Sequence, residues 1–247
     1  MIKIFRKIRQ SLLAENKFTK YLIYAVGEII LVVIGILLAL SINNRVNFNK
    51  ERQNEIIILK EIRSNLAVDL KEIDDDIRYM DTTDLACNFV SHYINTFDVP
   101  SREFGISVLK TRTTPHFNPN LSGYKLLVSK GVEIIQNDSL RKSISVNFES
   151  MYSYYNKYQD ERLDYKIQTL DPILVKYFTW IPNESAFLGE YQISHQDYSR
   201  LKAENSFIKL ISGIKRENNL VQNRAERVLK NIVNLTELLD NELTTRQ

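Results

Sequence analysis

YLIYAVGEIILVVIGILLALSI, residues 21–42, is apolar over a bilayer-sized length yet carries one carboxylate, Glu28. Twenty-two helical residues rising about 1.5 Å each span roughly 33 Å, against a hydrocarbon core of about 30 Å. The fourteen Leu, Ile and Val residues in the run supply on the order of −4 to −8 kcal/mol of insertion free energy, while one charge at mid-helix costs roughly 3 kcal/mol. Glu28 is off-centre and can be protonated, so it does not veto insertion. The run reads as a transmembrane helix.

Residues 1–20 carry Lys3, Arg6, Lys7, Arg9, Lys17 and Lys20 against Glu15 alone. Under the positive-inside rule this block stays cytoplasmic and residues 43–247 lie outside. Arg45, Lys50, Arg52 and Lys60 on the far side make the contrast moderate. Ala39-Leu40-Ser41 offers a peptidase small residues. The basic block and the apolar run are nevertheless both longer than a signal peptide's, and an uncleaved signal-anchor is the expectation. In MIKIFRKIRQSLL the apolar residues gather near one helical face, which suits a short helix on an anionic leaflet; a plain topology signal fits equally.

Glu28, Val32, Gly35 and Ala39 share one helical side, and Gly35-x-x-x-Ala39 is a small-x-x-x-small pair that lets another helix approach. Three roles fit Glu28: a protonated group holding a partner helix or a second copy, a proton carrier in a membrane complex, or a carboxylate snorkelling to the headgroups.

The rest of the chain reads as helix. Glycine (7) and proline (5) are scarce, against a fold built on many tight turns. Leu59, Ile62, Leu66, Leu70, Ile73, Ile77 and Met80 recur at three- and four-residue steps. So do Leu140, Ile144, Phe148, Met151, Tyr155 and Tyr158, and, as a coiled-coil-type seam, Val221, Ala225, Val228, Ile232, Leu235 and Leu239. The expected fold is all-α: one N-terminal transmembrane helix at 21–42 followed by an elongated antiparallel helical bundle over 43–247. The three seams either bury one another or leave one for a parallel homodimer. Residues 98–123, rich in proline and glycine, predict short helices joined by turns. Gly131 marks a helix stop, Asn137 or Asp138 a start, Pro172 and Pro182 breaks or kinks, and Ser194-x-x-Asp197 a capping box. WIPNESAFLG (180–189) reads as a loop, and Gly213 as an interruption of the last helix.

Few residues are arranged for chemistry. His92, His116 and His195 are scattered, no phosphate-binding or nucleophile-elbow motif is present, and no metal or cofactor is expected. Cys87, the single cysteine, suits a buried apolar position, with an interchain disulfide as the alternative. Asp74-Asp75-Asp76 reads as a solvated charged face. Tyr152, Tyr155 and Tyr158 sit in the densest aromatic cluster and either line a pocket or pack, with their hydroxyls reaching water. Mixed charge and the expected compartment argue against a nucleic-acid partner.

MIKIFRKIRQSLLAENKFTKYLIYAVGEIILVVIGILLALSINNRVN resembles the amino terminus of a domain-of-unknown-function family of small single-pass membrane proteins common in Bacteroidota. The resemblance rests on the basic start, the lysine–tyrosine approach, the GEI-LVVIGI-LAL core and the paired asparagines. It weakens beyond residue 50, where GYKLLVSKGVEIIQNDSLRKSI carries it. Arg45-Val46 departs from the aromatic that many relatives place there. The resemblance implies a single-pass envelope protein and no activity, so no catalytic residue follows from it. Taken together, the sequence predicts a non-enzymatic inner-membrane scaffold or accessory subunit, with a periplasmic domain, whose partners are lipid and other membrane or envelope proteins. A ligand-sensing ectodomain and a proton-coupled subunit using Glu28 are the alternatives.

Overall fold

The computed structural model describes residues 18–183 and 186–245. Lys3, Arg6, Lys7, Arg9 and Lys17, with the interfacial helix expected around them, lie outside the described residues; Lys20 falls within the first described helix. The chain divides into two compact units, residues 1–55 and 56–247.

In the first unit, helix α1 (Phe18–Thr96, which continues into the second unit) carries the apolar run without a break. It contains a window of mean hydropathy 2.7, none of it buried, and it is the one described helix long and apolar enough to cross a membrane. All fourteen Leu, Ile and Val side chains between Leu22 and Ile42 are 46–66% exposed. Toward residue 55, Arg52 stacks on Phe48, 5.5 Å from the ring centroid, and pairs with Glu55 at 2.5 Å.

The second unit is all-α apart from one hairpin. After α1 come α2 (Arg102–Lys110), α3 (Ser122–Lys130), a 3-10 turn (Val132–Ile134) and α4 (Asp138–Ser145). Helical backbone then continues through a π turn (Val146–Met151), α5 (Tyr152–Tyr165), a second π turn (Lys166–Leu170) and α6 (Asp171–Tyr177). Strands β1 (Thr179–Asn183) and β2 (Ala186–Gln192), then α7 (His195–Ala203) and α8 (Ser206–Thr245), complete the described chain. Helix ends follow local chemistry. Ser101, Asn137 and Ser194 cap α2, α4 and α7 by accepting the backbone N–H of Phe104, Leu140 and Asp197. Helix α3 stops at Gly131, where φ is +91°.

The three seams bury one another within the single chain. Leu59, Ile62, Leu66, Ile73 and Met80 pack with Leu140, Ile144, Phe148 and Tyr155 and with Val221 through Leu239 in one core. A second core gathers Cys87, Val90 and Ile94 with Phe104, Leu174, Tyr198 and Ile211. Cys87 is buried and its thiol pushed up to about 12, first by burial. No exposed sulfur is therefore offered for a disulfide between chains.

Three expectations are corrected, and Pro172 is placed. WIPNESAFLG is not a loop: its described residues, 180–183 and 186–189, lie in two antiparallel strands that pair Thr179 with Gln192 and Trp180 with Tyr191. Pro182 falls where the register shifts between Ile181 and Asn183, a bulge that needs no amide hydrogen from it. Gly213 does not interrupt α8; a Cβ there would collide with the Tyr165 hydroxyl, so the glycine admits that ring. Pro172 stands in the first turn of α6, directly after the π turn that interrupts the α-helical pattern, a place where a missing amide hydrogen is tolerated. Residues 98–123 hold one regular helix, α2, before α3, and the residues between those helices run extended rather than as further short helices.

Candidate functional site

Two features stand out: the Glu28 face of α1, and a ladder of polar side chains that fastens the extended strap, residues 113–121, to the bundle. On the first, Glu28 is half-buried, while Val32, Gly35 and Ala39 are exposed. A Cβ added at Gly35 would meet nothing within 4 Å. Val32, Gly35 and Ala39 thus lie exposed, with open space at Gly35.

The ladder arises because a strap outside regular structure must still place every buried backbone N–H. Pro115 and Pro119 have none. The His116 N–H reaches Asp76 at 3.4 Å, that of Asn118 reaches Glu72 at 3.2 Å, and that of Asn120 reaches Asp69 at 2.9 Å. The intervening Phe117 N–H turns the other way, to Gln159 of α5 at 2.7 Å. Asn65 ends the series by accepting from the Gly123 N–H at 2.8 Å and the Ser122 hydroxyl at 3.1 Å. The strap runs antiparallel to α1, so rising strap numbers meet falling helix numbers.

Helix α5 closes the ladder from the opposite side. The Tyr152 hydroxyl donates to Asp69 at 2.7 Å and the Tyr155 hydroxyl to Asp76 at 2.9 Å. Burial pushes both carboxyls above the ordinary carboxylate range, and the tyrosine and backbone donors hold them back only in part. Burial first, then the facing carboxylates, likewise raises both phenols. Below them Arg162 is fully buried, and its Nη2 donates to the Thr111 and Thr113 carbonyls at 2.9 and 3.4 Å. Burial lowers its pKa.

These contacts place the expected residues. Tyr152 and Tyr155 are core residues, 2% and 0% exposed, with their hydroxyls on carboxylates rather than in water. Tyr158 is half-buried beneath Arg224, whose guanidinium carbon lies 4.7 Å from its ring centroid. The aspartate run is corrected in one member. Asp74 and Asp75 face solvent and pair with Arg78, but Asp76 is 1% exposed and bound as above. One hundred degrees per residue carries Asp76 round to the seam side, between Ile73 and Met80.

The ladder residues carry a legible signal. Asn65, Asp69, Glu72 and Asp76 are spaced 4, 3 and 4, the same period as the apolar seam beside them. Polar residues keeping a core period mark a buried polar stripe. Among the described residues no group of three or more His, Cys, Asp or Glu is arranged to hold a metal ion.

The chain belongs to a family of unknown function (DUF6090), whose model matches residues 28–185. No curated protein and no solved structure matches it. The matched span begins at Glu28 and takes in the strap, the ladder residues of α1 and α5, and β1.

Proposed function

We propose that this member of the family is a non-enzymatic, membrane-anchored helical envelope protein that works as a scaffold or accessory subunit through protein–protein interaction. In this reading α1 crosses the inner membrane, the basic block lies on the cytoplasmic leaflet, and residues 43–247 form the periplasmic domain. The observation that carries it is the exposure of all fourteen large aliphatic side chains between Leu22 and Ile42. Water would not tolerate that surface on a lone helix, whereas lipid or a partner helix covers it. Glu28, Val32, Gly35 and Ala39 form the face toward the partner helix, where a small residue permits close approach and a protonated carboxyl donates a hydrogen bond.

Reporter fusions placed after residue 50 should be active only outside the cytoplasm; activity inside it would overturn the topology. In membrane crosslinking, Glu28→Gln should keep association, since the amide also hydrogen-bonds, and Glu28→Leu should weaken it. Loss of function in Glu28→Gln with assembly intact would favour the proton-carrying role instead. Unchanged assembly and activity in both would leave Glu28 as a snorkelling carboxylate.

A further inference from the structure

A cleft of about 260 Å³ lies in the second unit, lined by Ser150, Met151, Tyr154, Arg224, Arg227 and Val228. Ser150 and Met151 end the first π turn, and π turns recur at binding sites because the widened helix displaces side chains from their usual register. Met151, Tyr154 and Val228 give the cleft a largely apolar wall. Arg224 and Arg227 line it from α8.

Those two cations are held differently. Arg224 is fixed: its Nη2 donates to the Tyr158 hydroxyl at 3.2 Å, and its guanidinium lies 4.7 Å from the Tyr158 ring and 5.7 Å from the Tyr154 ring. Stacking against both rings pre-orients it and leaves further N–H donors unused. Arg227, one turn along, is exposed and makes no hydrogen bond or ion pair among the described residues. Tyr154 is 58% exposed, so its ring is open to a neighbour rather than spent on core packing.

We propose that this cleft binds a carboxylate carried on a short apolar or aromatic body. The charge calls for an anion, and a carboxylate matches the planar fork of a guanidinium with two parallel hydrogen bonds. The lining has few polar groups besides the two arginines and Ser150, which suits a carboxylate better than a doubly charged phosphate needing more donors. The volume is below the range for drug-sized ligands, so the body is about the size of one side chain. The apolar part would rest on Met151, Val228 and the Tyr154 ring while the carboxylate spans the arginines. This chemistry occurs both in small aromatic acids and at the C-terminus of a polypeptide ending in an apolar residue. The proposal does not depend on the membrane reading.

The test uses the full chain in detergent micelles, with empty micelles as control, and two probes: fluorinated phenylpropionate, and a short peptide ending in a free phenylalanine carboxylate. Fluorine NMR and calorimetry should show saturable binding of a carboxylate probe, with the matching amide at least about tenfold weaker. Arg227→Gln should weaken the carboxylate about tenfold and leave the amide unchanged, Arg227→Lys should recover part of the loss, and Tyr154→Ala should weaken both. Arg227 and Tyr154 are exposed, so these variants spare the core. Tighter binding of the peptide assigns the cleft to a chain terminus and tighter binding of the free acid to a metabolite; either supports the proposal. Equal binding of acid and amide, unchanged affinity in Arg227→Gln, or no saturable binding of either carboxylate up to millimolar concentration would overturn it.

Discussion

Two stretches of helix α1 are equally helical, yet they meet opposite surroundings. Between Leu22 and Ile42 every large aliphatic side chain is exposed, whereas Leu59, Ile62, Leu66 and Ile73 are fully buried. Glycines repeat the contrast. A Cβ at Gly35 would meet open space, but one at Gly123 would come within 2.7 Å of the Ile62 backbone nitrogen. Helical propensity is thus indifferent to environment, and the spacing of apolar residues decides what each stretch can cover. A stripe at three- and four-residue steps asks for protein neighbours. An apolar surface all round asks for lipid.

The largest effect should come from charging the uniform stretch. Val33→Arg with Ile34→Arg adds about 6 kcal/mol to insertion, enough to offset most of what the aliphatic residues supply. Membrane fractionation should then find the chain released; retention at the wild-type level would break the lipid side of the comparison. Next, Leu66→Ala should cost about 2–5 kcal/mol in denaturant unfolding of the bundle, while Leu37→Ala should leave the same transition in place. The glycines should separate in the same way. Gly123→Ala forces α3 away from α1 at Ile62 and should cost about 1–3 kcal/mol, and Gly35→Ala should not move the midpoint.

The smallest effect is the dependence on pH. Asp69 and Asp76 have folded pKa values raised above the ordinary 3.8, so the folded chain holds protons that the unfolded chain has already lost. Their contribution to stability is full below 3.8 and fades as pH rises through the raised folded values. Asp76→Asn should therefore gain on the wild type as pH rises through that window. Asp171 runs the other way: burial raises its pKa, but hydrogen bonds and charge from Arg112 and Lys166 outweigh that and leave it lowered. Stability from Asp171 is present above 3.8 and lost as pH falls through its lowered value, so Asp171→Asn should be least costly in acid. Unfolding midpoints followed across pH check both slopes, and slopes of one sign would contradict the assignment.

Much of the fold is legible in the residues. The seams, the caps at Asn137 and Ser194 and the stop at Gly131 all follow from period and local chemistry. Other features depended on a partner distant in sequence. The hairpin was hidden because Pro182 and Gly189 read as loop residues, when one sits at a bulge and the other, with φ of +68°, lies close under the Trp180 indole. Gly213 looks like a breaker until Tyr165 is placed beside it. The candidate sites divide along the same line. The Glu28 face follows from spacing alone, but the cleft needs Tyr154 and Arg224, seventy residues apart, to meet.

The sequence by itself determined that this chain is helical, that one stretch is apolar all round, and that the remaining apolar residues form stripes. These properties depend on side-chain identity and on a helical repeat that no distant contact alters. Only the tertiary structure decided that Asp69, Glu72 and Asp76 are acceptors for an extended strap, that Tyr152 and Tyr155 bind Asp69 and Asp76, and that Arg227 stands beside a cleft without a partner among the described residues. A buried polar group is tolerated only where its hydrogen-bonding partner arrives, and that partner is chosen by packing rather than by neighbours in sequence.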